Sequence, residues 1–140
     1  MEVLLLVGRI LFAMIFVGSG LAGHLMAADA TAGYAESRGL KNAKVLVQIS
    51  GVLILAAGLG IIFGVFLDLA ALGAAAYALI SGIMIHHFWT DTDEMTKNME
   101  MSLFMKNLSI AGGGLIIFVL AGAGAPMGWE LGERLFEFTL

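Results

Sequence analysis

The chain has 140 residues, 60% of them apolar and only 13% charged, with a mean hydropathy of +0.97. That composition excludes a soluble globular domain, whose apolar share is nearer half, and at about 20 apolar residues per crossing the length allows four membrane spans and no separate soluble domain. A net charge of −4 without any basic run excludes nucleic acid as a partner, and the absence of cysteine excludes disulfides, thiolate chemistry and iron–sulfur ligation by this chain.

In chain order, the first apolar run covers about residues 3–25 and contains Arg9 and His24. It is longer than a signal-peptide core, has no basic lead-in and is interrupted by Arg9, so it reads as a retained span and not a cleaved leader. A polar connection over 26–44 leads to span 2, about 45–64, which carries Gln48. The link "FGVFLD" around Gly64 is so short that spans 2 and 3 must form a tight antiparallel hairpin. Span 3, about 66–87, opens at Asp68 and runs into "HHFW", residues 86–89. A second polar connection, 88–102, is rich in Asp, Glu and Met, and span 4, about 103–125, begins with Lys106 and Asn107. After Pro126 the tail alternates acids with Leu131, Leu135, Phe136 and Phe138, a pattern compatible with either a strip lying along the interface or a frayed end.

No run shows strand-like alternation, and a backbone in lipid must satisfy its own hydrogen bonds. The fold class is therefore all-α: one integral-membrane four-helix bundle over residues 1–140. Arg38, Lys41, Lys44, Lys97 and Lys106 belong to the side of the two long connections, so the positive-inside rule places those in the cytoplasm and both termini outside. Trp89 and Trp129 fall at span ends on opposite sides, as interfacial anchors do.

The sequence also repeats. An offset of 62 lays "SGIMIHH" (81–87) on "SGLAGHL" (19–25) and "KNLSIAGGGLI" (106–116) on "KVLVQISGVLI" (44–54), matching Ser19 with Ser81, Gly20 with Gly82, His24 with His86 and Lys44 with Lys106. A two-span unit copied in tandem keeps its orientation, which predicts two helical hairpins related by a pseudo-twofold axis along the membrane normal. His24 then faces His86 at similar depth, whereas His87, opposite Leu25, is peripheral.

Ionisable side chains inside a span are costly unless they face the interior and find partners. Near the cytoplasmic end, His24, Gln48, His86, Lys106 and Asn107 come from all four spans, and helical spacing turns them toward one interior pocket. Imidazole donates or accepts and titrates near neutrality, and a lysine stabilises an oxygen that gains electron density on reduction. Those groups suit the carbonyl head of a quinone as bound cofactor. The plainer alternative is interfacial histidines and a snorkelling lysine. Toward the other face, Arg9 and Asp68 lie at similar depth and form a candidate structural ion pair between spans 1 and 3. His24 and His86 also have the residue types for a b-type haem, and Met95, Met99, Met101 and Met105 for copper(I), but an apolar helix face explains both patterns more simply. No metal site is assigned.

"HHFW" closing span 3, then "LFMKNLSIAGGGL" (103–115), with "GLAGHL" and "GYAESRGL" (33–40) in the first half, resembles the DoxX family of small bacterial four-span membrane proteins. The family's usual proline after the tyrosine–glycine segment is absent from "GLKNAK". The resemblance implies a bacterial inner-membrane bundle, and relatives include subunits of quinone-linked sulfur oxidation and of membrane oxidoreductase complexes. It supplies no catalytic residue. The reading that follows is a small membrane subunit of a quinone-linked redox complex, in contact with the bilayer and with other subunits or further copies of itself. A non-catalytic assembly or anchoring subunit is the alternative, and no independent catalytic site is evident.

Overall fold

The computed structural model describes residues 1–139 and, among them, contains helices and no strand. Helix α1 (Glu2–Gly18) runs directly into a π-helix (Ser19–Met26). It is followed by α2 (Ala28–Ser37), α3 (Ala43–Phe63), α4 (Leu67–Ile85), a 3-10 turn (Phe88–Thr90) and α5 (Glu94–Gly122). Four of these, α1 with its π extension, α3, α4 with the turn after it, and α5, are long and apolar enough to cross a membrane. The expected all-α, four-span architecture is the one observed. α1 packs chiefly on α3 and α4 chiefly on α5, which is the pairing within each half that the internal repeat predicts.

Lipid tails are as apolar as leucine, so close packing and not hydrophobic burial holds such helices together. The buried core accordingly mixes small and large side chains: Ala13, Phe16, Ile54, Ile61, Leu67, Ala71, Ala74, Ala121 and Met127. The α3–α4 hairpin turns through two left-handed residues, Gly64 at φ +64 and Phe66 at φ +45. Gly64 is required there for its backbone and for space, because a Cβ would run into Glu130.

Three elements differ from the sequence reading. The connection over 26–44 contains α2, whose buried Ala28, Ala32 and Ala35 follow helical spacing, the last two seating it against Ala43 and Val47 at the start of α3. Helix α5 starts at Glu94 and not near residue 103, because Asp93 caps it: its Oδ2 accepts from the Thr96 N–H at 2.8 Å and the Thr96 hydroxyl at 2.7 Å. With 29 residues, α5 is about 43 Å long, so its first turns reach beyond a hydrocarbon layer of about 30 Å. The tail is neither an interfacial strip nor frayed. It folds back over the hairpin end of the bundle, with Leu131 N–H donating to Phe63 O, Gly132 N–H to Gly64 O and Phe138 N–H to Gly122 O.

That tail also corrects the expected Arg9–Asp68 ion pair. Arg9, 1% exposed, donates to Ile61 O and Ile62 O at the end of α3 (both 2.9 Å) and to Met127 O (2.9 Å) and Trp129 O (3.0 Å) in the tail. Asp68 accepts from Leu69 N–H at 2.8 Å and from Leu135 and Phe136 N–H at 2.6 Å each. Each buried charge meets backbone groups instead of the other. Arg134 fastens the tail further, donating to Glu130 (2.5 and 2.9 Å), Ala121 O and Ala125 O (2.8 Å each), and its hydrogen bond to Glu130 raises its pKa.

Candidate functional site

At the opposite end, where the two long connections lie, the helices diverge around a cavity of about 520 Å³. That size falls in the range of roughly 300–1,000 Å³ typical of small-molecule sites. Ile15, Phe16, Val47, Ile80 and Ile110 are among its apolar walls, and its polar groups include His24, Tyr34, Tyr77, His86, Lys106 and Asn107 beside four Ser and Thr hydroxyls. Every long helix and α2 contributes.

His24 sits in the π-helix. A Cβ on Gly51 would stand 2.5 Å from the His24 Cβ, so a side-chain-free position on α3 is what admits the histidine. Its Nδ1 lies 2.9 Å from Ser19 O, a group that only accepts, which assigns the hydrogen to Nδ1 and leaves Nε2 as an acceptor. The Tyr77 hydroxyl, 2.8 Å away, therefore donates to Nε2. The backbone widening of a π turn is common near functional sites, and here Thr31 donates to Gly23 O at 2.7 Å to satisfy a freed carbonyl. Both His24 nitrogens are thus engaged, Nδ1 by Ser19 O and Nε2 by the Tyr77 hydroxyl.

Behind the other wall, the carboxylate of Glu100, 1% exposed, accepts from the lining residues Tyr34, through its hydroxyl at 2.5 Å, and His86, through Nδ1 at 2.9 Å. His86 thus carries a hydrogen on Nδ1, and its Nε2 makes no hydrogen bond among the described residues. Burial, and then the hydrogen bond to Glu100, push the Tyr34 phenol above its ordinary range, so it remains a donor. Below this lies a support: Arg38 donates to Asp91 (2.7 and 3.1 Å) and to Ile85 O (2.8 Å), and His87 Nε2 donates to Arg38 O at 3.0 Å. The Arg38–Asp91 hydrogen bond raises the guanidinium and lowers the carboxyl. His87 holds this support and does not line the cavity.

Asn107 differs from the rest. It is only 9% exposed, and its Nδ2 is a buried side-chain donor with no partner among the described residues. Gly82 makes the space for it, since a Cβ there would lie 3.3 Å from Asn107 Cβ. A buried donor left unpaired costs about 1–3 kcal/mol, so its presence calls for an explanation.

Of the five residues expected at a cofactor, His24, His86, Lys106 and Asn107 line the cavity, Lys106 from an exposed position. Gln48 does not: it is exposed, because α3 turns Val47 inward in its place. Sequence reasoning missed Tyr34, Tyr77 and Glu100. Tyr77 carried a signal, being a phenol in the middle of an apolar span. Glu100 lies seven residues before Asn107, two turns up the same face, a relation that exists only once α5 is known to begin at Glu94.

A family model, described as DoxX, matches residues 4–87. The chain belongs to the DoxX family. The matched stretch runs from α1 to His87 and so includes His24, Tyr34, Tyr77 and His86 of the cavity. The chain is similar to inner membrane protein YphA of Escherichia coli (strain K12), 32% identical over 123 residues that cover 88% of this chain and 86% of the relative. It is also similar to inner membrane protein YqjF of the same organism, 30% identical over 128 residues covering 89% and 88%. No solved structure matches. Together with four membrane-length helices, this makes the chain a DoxX-family membrane protein in contact with the bilayer.

Proposed function

We propose that this DoxX-family chain is a small inner-membrane subunit of a redox complex whose cavity binds a quinone-class carrier. Two relatives named as inner membrane proteins, and the surplus of basic residues beside the two long connections, support an inner-membrane bundle with the cavity on the cytoplasmic side. The observation that carries the ligand reading is the unpartnered, buried amide N–H of Asn107, a residue that lines a mainly apolar cavity. A donor of that kind is matched by a neutral oxygen acceptor on an otherwise apolar molecule, and a quinone carbonyl is one.

When bound, a quinone supplies two-electron, two-proton redox chemistry. The chain's residues would serve it by position. Asn107 Nδ2 donates to a carbonyl oxygen, and Lys106 adds a positive charge on the same turn of α5. His86, held through Nδ1 by Glu100, would offer Nε2 as a hydrogen-bonding group to the head, with Tyr34 fixing the second carboxylate oxygen. Tyr77 and His24 form the opposite wall.

Lipid extraction from gently purified protein, with titration of a tailless benzoquinone in nanodiscs, tests the proposal. Quinone recovered with the wild type, and lost in the His86→Ala/Lys106→Ala variant, is the expected result. A stoichiometric protein partner with no quinone bound or recovered would overturn it in favour of an assembly or anchoring subunit.

A further inference from the structure

The cavity has an apolar neighbour. A second, largely apolar recess of about 710 Å³ runs along the bundle surface between α3 and α4, from Leu53 to Phe63 on one helix and from Phe66 to Ile80 on the other. Ten residues of α3 correspond to about 15 Å, the length of a medium alkyl or prenyl chain. Tyr77 and Ile80 line both spaces. Tyr77 is fixed by its hydrogen bond to His24, so its ring is a wall shared between chamber and groove. The chamber's own rim at this crevice, Leu46, Ile80 and Met84, is exposed and apolar, and it opens sideways toward lipid.

We infer that the site takes an amphiphile whose long apolar tail lies in the α3–α4 groove while its oxygen-bearing head occupies the polar chamber, entry being lateral from the bilayer between α3 and α4. This rests on the head-group reading above and adds the ligand's class: a carrier with an extended hydrocarbon tail. Adjacency at the exposed Ile80, which lines both spaces, selects this occupant, because a tail can pass over that rim from one to the other. A helix of a second copy, or an ordinary bilayer lipid, would cover the groove without entering the chamber. The groove is built for a chain: Ala57, Ala70 and Gly73 make a shallow floor, and Leu53, Phe63 and Leu69 stand exposed along its sides.

Gly73 gives a test, because it lines the groove and a Cβ there meets nothing within 4 Å, so a larger side chain can start from this position without a backbone clash. In nanodiscs, a tailless dimethoxybenzoquinone and its decyl-tailed homologue are titrated into wild type and Gly73→Phe, with affinities referred to concentration in the bilayer. The wild type should bind the decyl compound about tenfold more tightly, equivalent to about 1.4 kcal/mol. Gly73→Phe should abolish that difference and leave the tailless compound unaffected. Tailless binding with no advantage for the tail overturns the groove assignment alone, and binding of neither compound overturns the head site as well. A tail advantage that survives Gly73→Phe, with the variant turning a dimer into a monomer on sizing, assigns the groove to a second copy instead.

Discussion

Asn107→Leu should make the ligand-free protein more stable and a worse binder at the same time. The side chain is about nine-tenths buried, and its amide nitrogen has no acceptor among the described residues. An unpaired buried donor costs about 1–3 kcal/mol. Leucine removes that donor, keeps a similar volume in the space left by Gly82, and adds an apolar contact. The expected change is a gain of about 1–2 kcal/mol in unfolding free energy, since part of the full amount is offset by the leucine's branching in a fitted site. Binding should move the other way. Losing the hydrogen bond to a carbonyl should weaken quinone affinity by about tenfold, or about 1.4 kcal/mol. Thermal unfolding of ligand-free protein in detergent gives the first sign, and titration of the tailless benzoquinone gives the second. A variant destabilised by more than about 1 kcal/mol with unchanged affinity would refute the reasoning, because the amide would then be an ordinary structural hydrogen-bonding group.

At the other end of the bundle, Arg9→Met should cost about 3–5 kcal/mol, because it strands carbonyls of α3 and of the tail that now share one buried guanidinium. Faster proteolysis of the tail and a shifted Trp129 emission should accompany the loss; an intact, protected tail would count against it. Asp68→Asn should cost about 2–3 kcal/mol in the whole chain but close to nothing in a chain truncated after Ala125, where the Leu135 and Phe136 donors are absent. Equal costs in both backgrounds would show that Asp68 does not act through the tail. Arg38 holds the Asp91 carboxyl below its ordinary range in the folded state, so this pair stabilises the fold above the unfolded value of about 3.9 and the contribution is lost as pH falls through the folded value. Unfolding measured from neutral pH downward should therefore show the advantage of wild type over Asp91→Asn shrinking below about pH 4; a gap constant with pH would contradict the assignment.

The spans were legible because hydropathy in a membrane protein is nearly a direct record of the solvent. His24, His86 and Asn107 were legible for a related reason: a polar group inside an apolar run is costly, so it marks itself. What was not legible depends on partners far along the chain. Arg9 and Asp68 stand out as charges, yet their partners are backbone groups supplied by α3 and the folded-back tail, and a backbone carbonyl or amide has no letter in a sequence. Glu100 looked like part of a solvated acidic loop, because only the Asp93 cap, by starting α5 nine residues before the apolar run, turns that carboxylate inward toward Tyr34 and His86. The π-helix is equally silent. "SGLAGHLM" has ordinary helix-compatible residues, and its wider winding is tied to the bonds that His24 and Thr31 make with Ser19 O and Gly23 O.

The two ends of the bundle treat their polar groups in opposite ways, and the contrast bears on function. At the hairpin end a tail is drawn across the helices, and Arg9, Asp68 and Arg134 all reach backbone or side-chain partners. That end is a closed structural joint. At the connection end the same family of side chains surrounds a space. Glu100 is matched on both oxygens and His24 on both ring nitrogens, but Asn107 Nδ2 and His86 Nε2, on residues that line the cavity, have no partners among the described residues. A scaffold selected only to hold helices together gains nothing from an unpaired donor in a low-dielectric wall, since leucine at that position would remove the cost. An open polar chamber beside an apolar groove is therefore better explained by a guest that supplies the missing acceptor. On the proposed reading, a guest already dissolved in the bilayer would enter sideways, past the exposed apolar rim of Leu46, Ile80 and Met84.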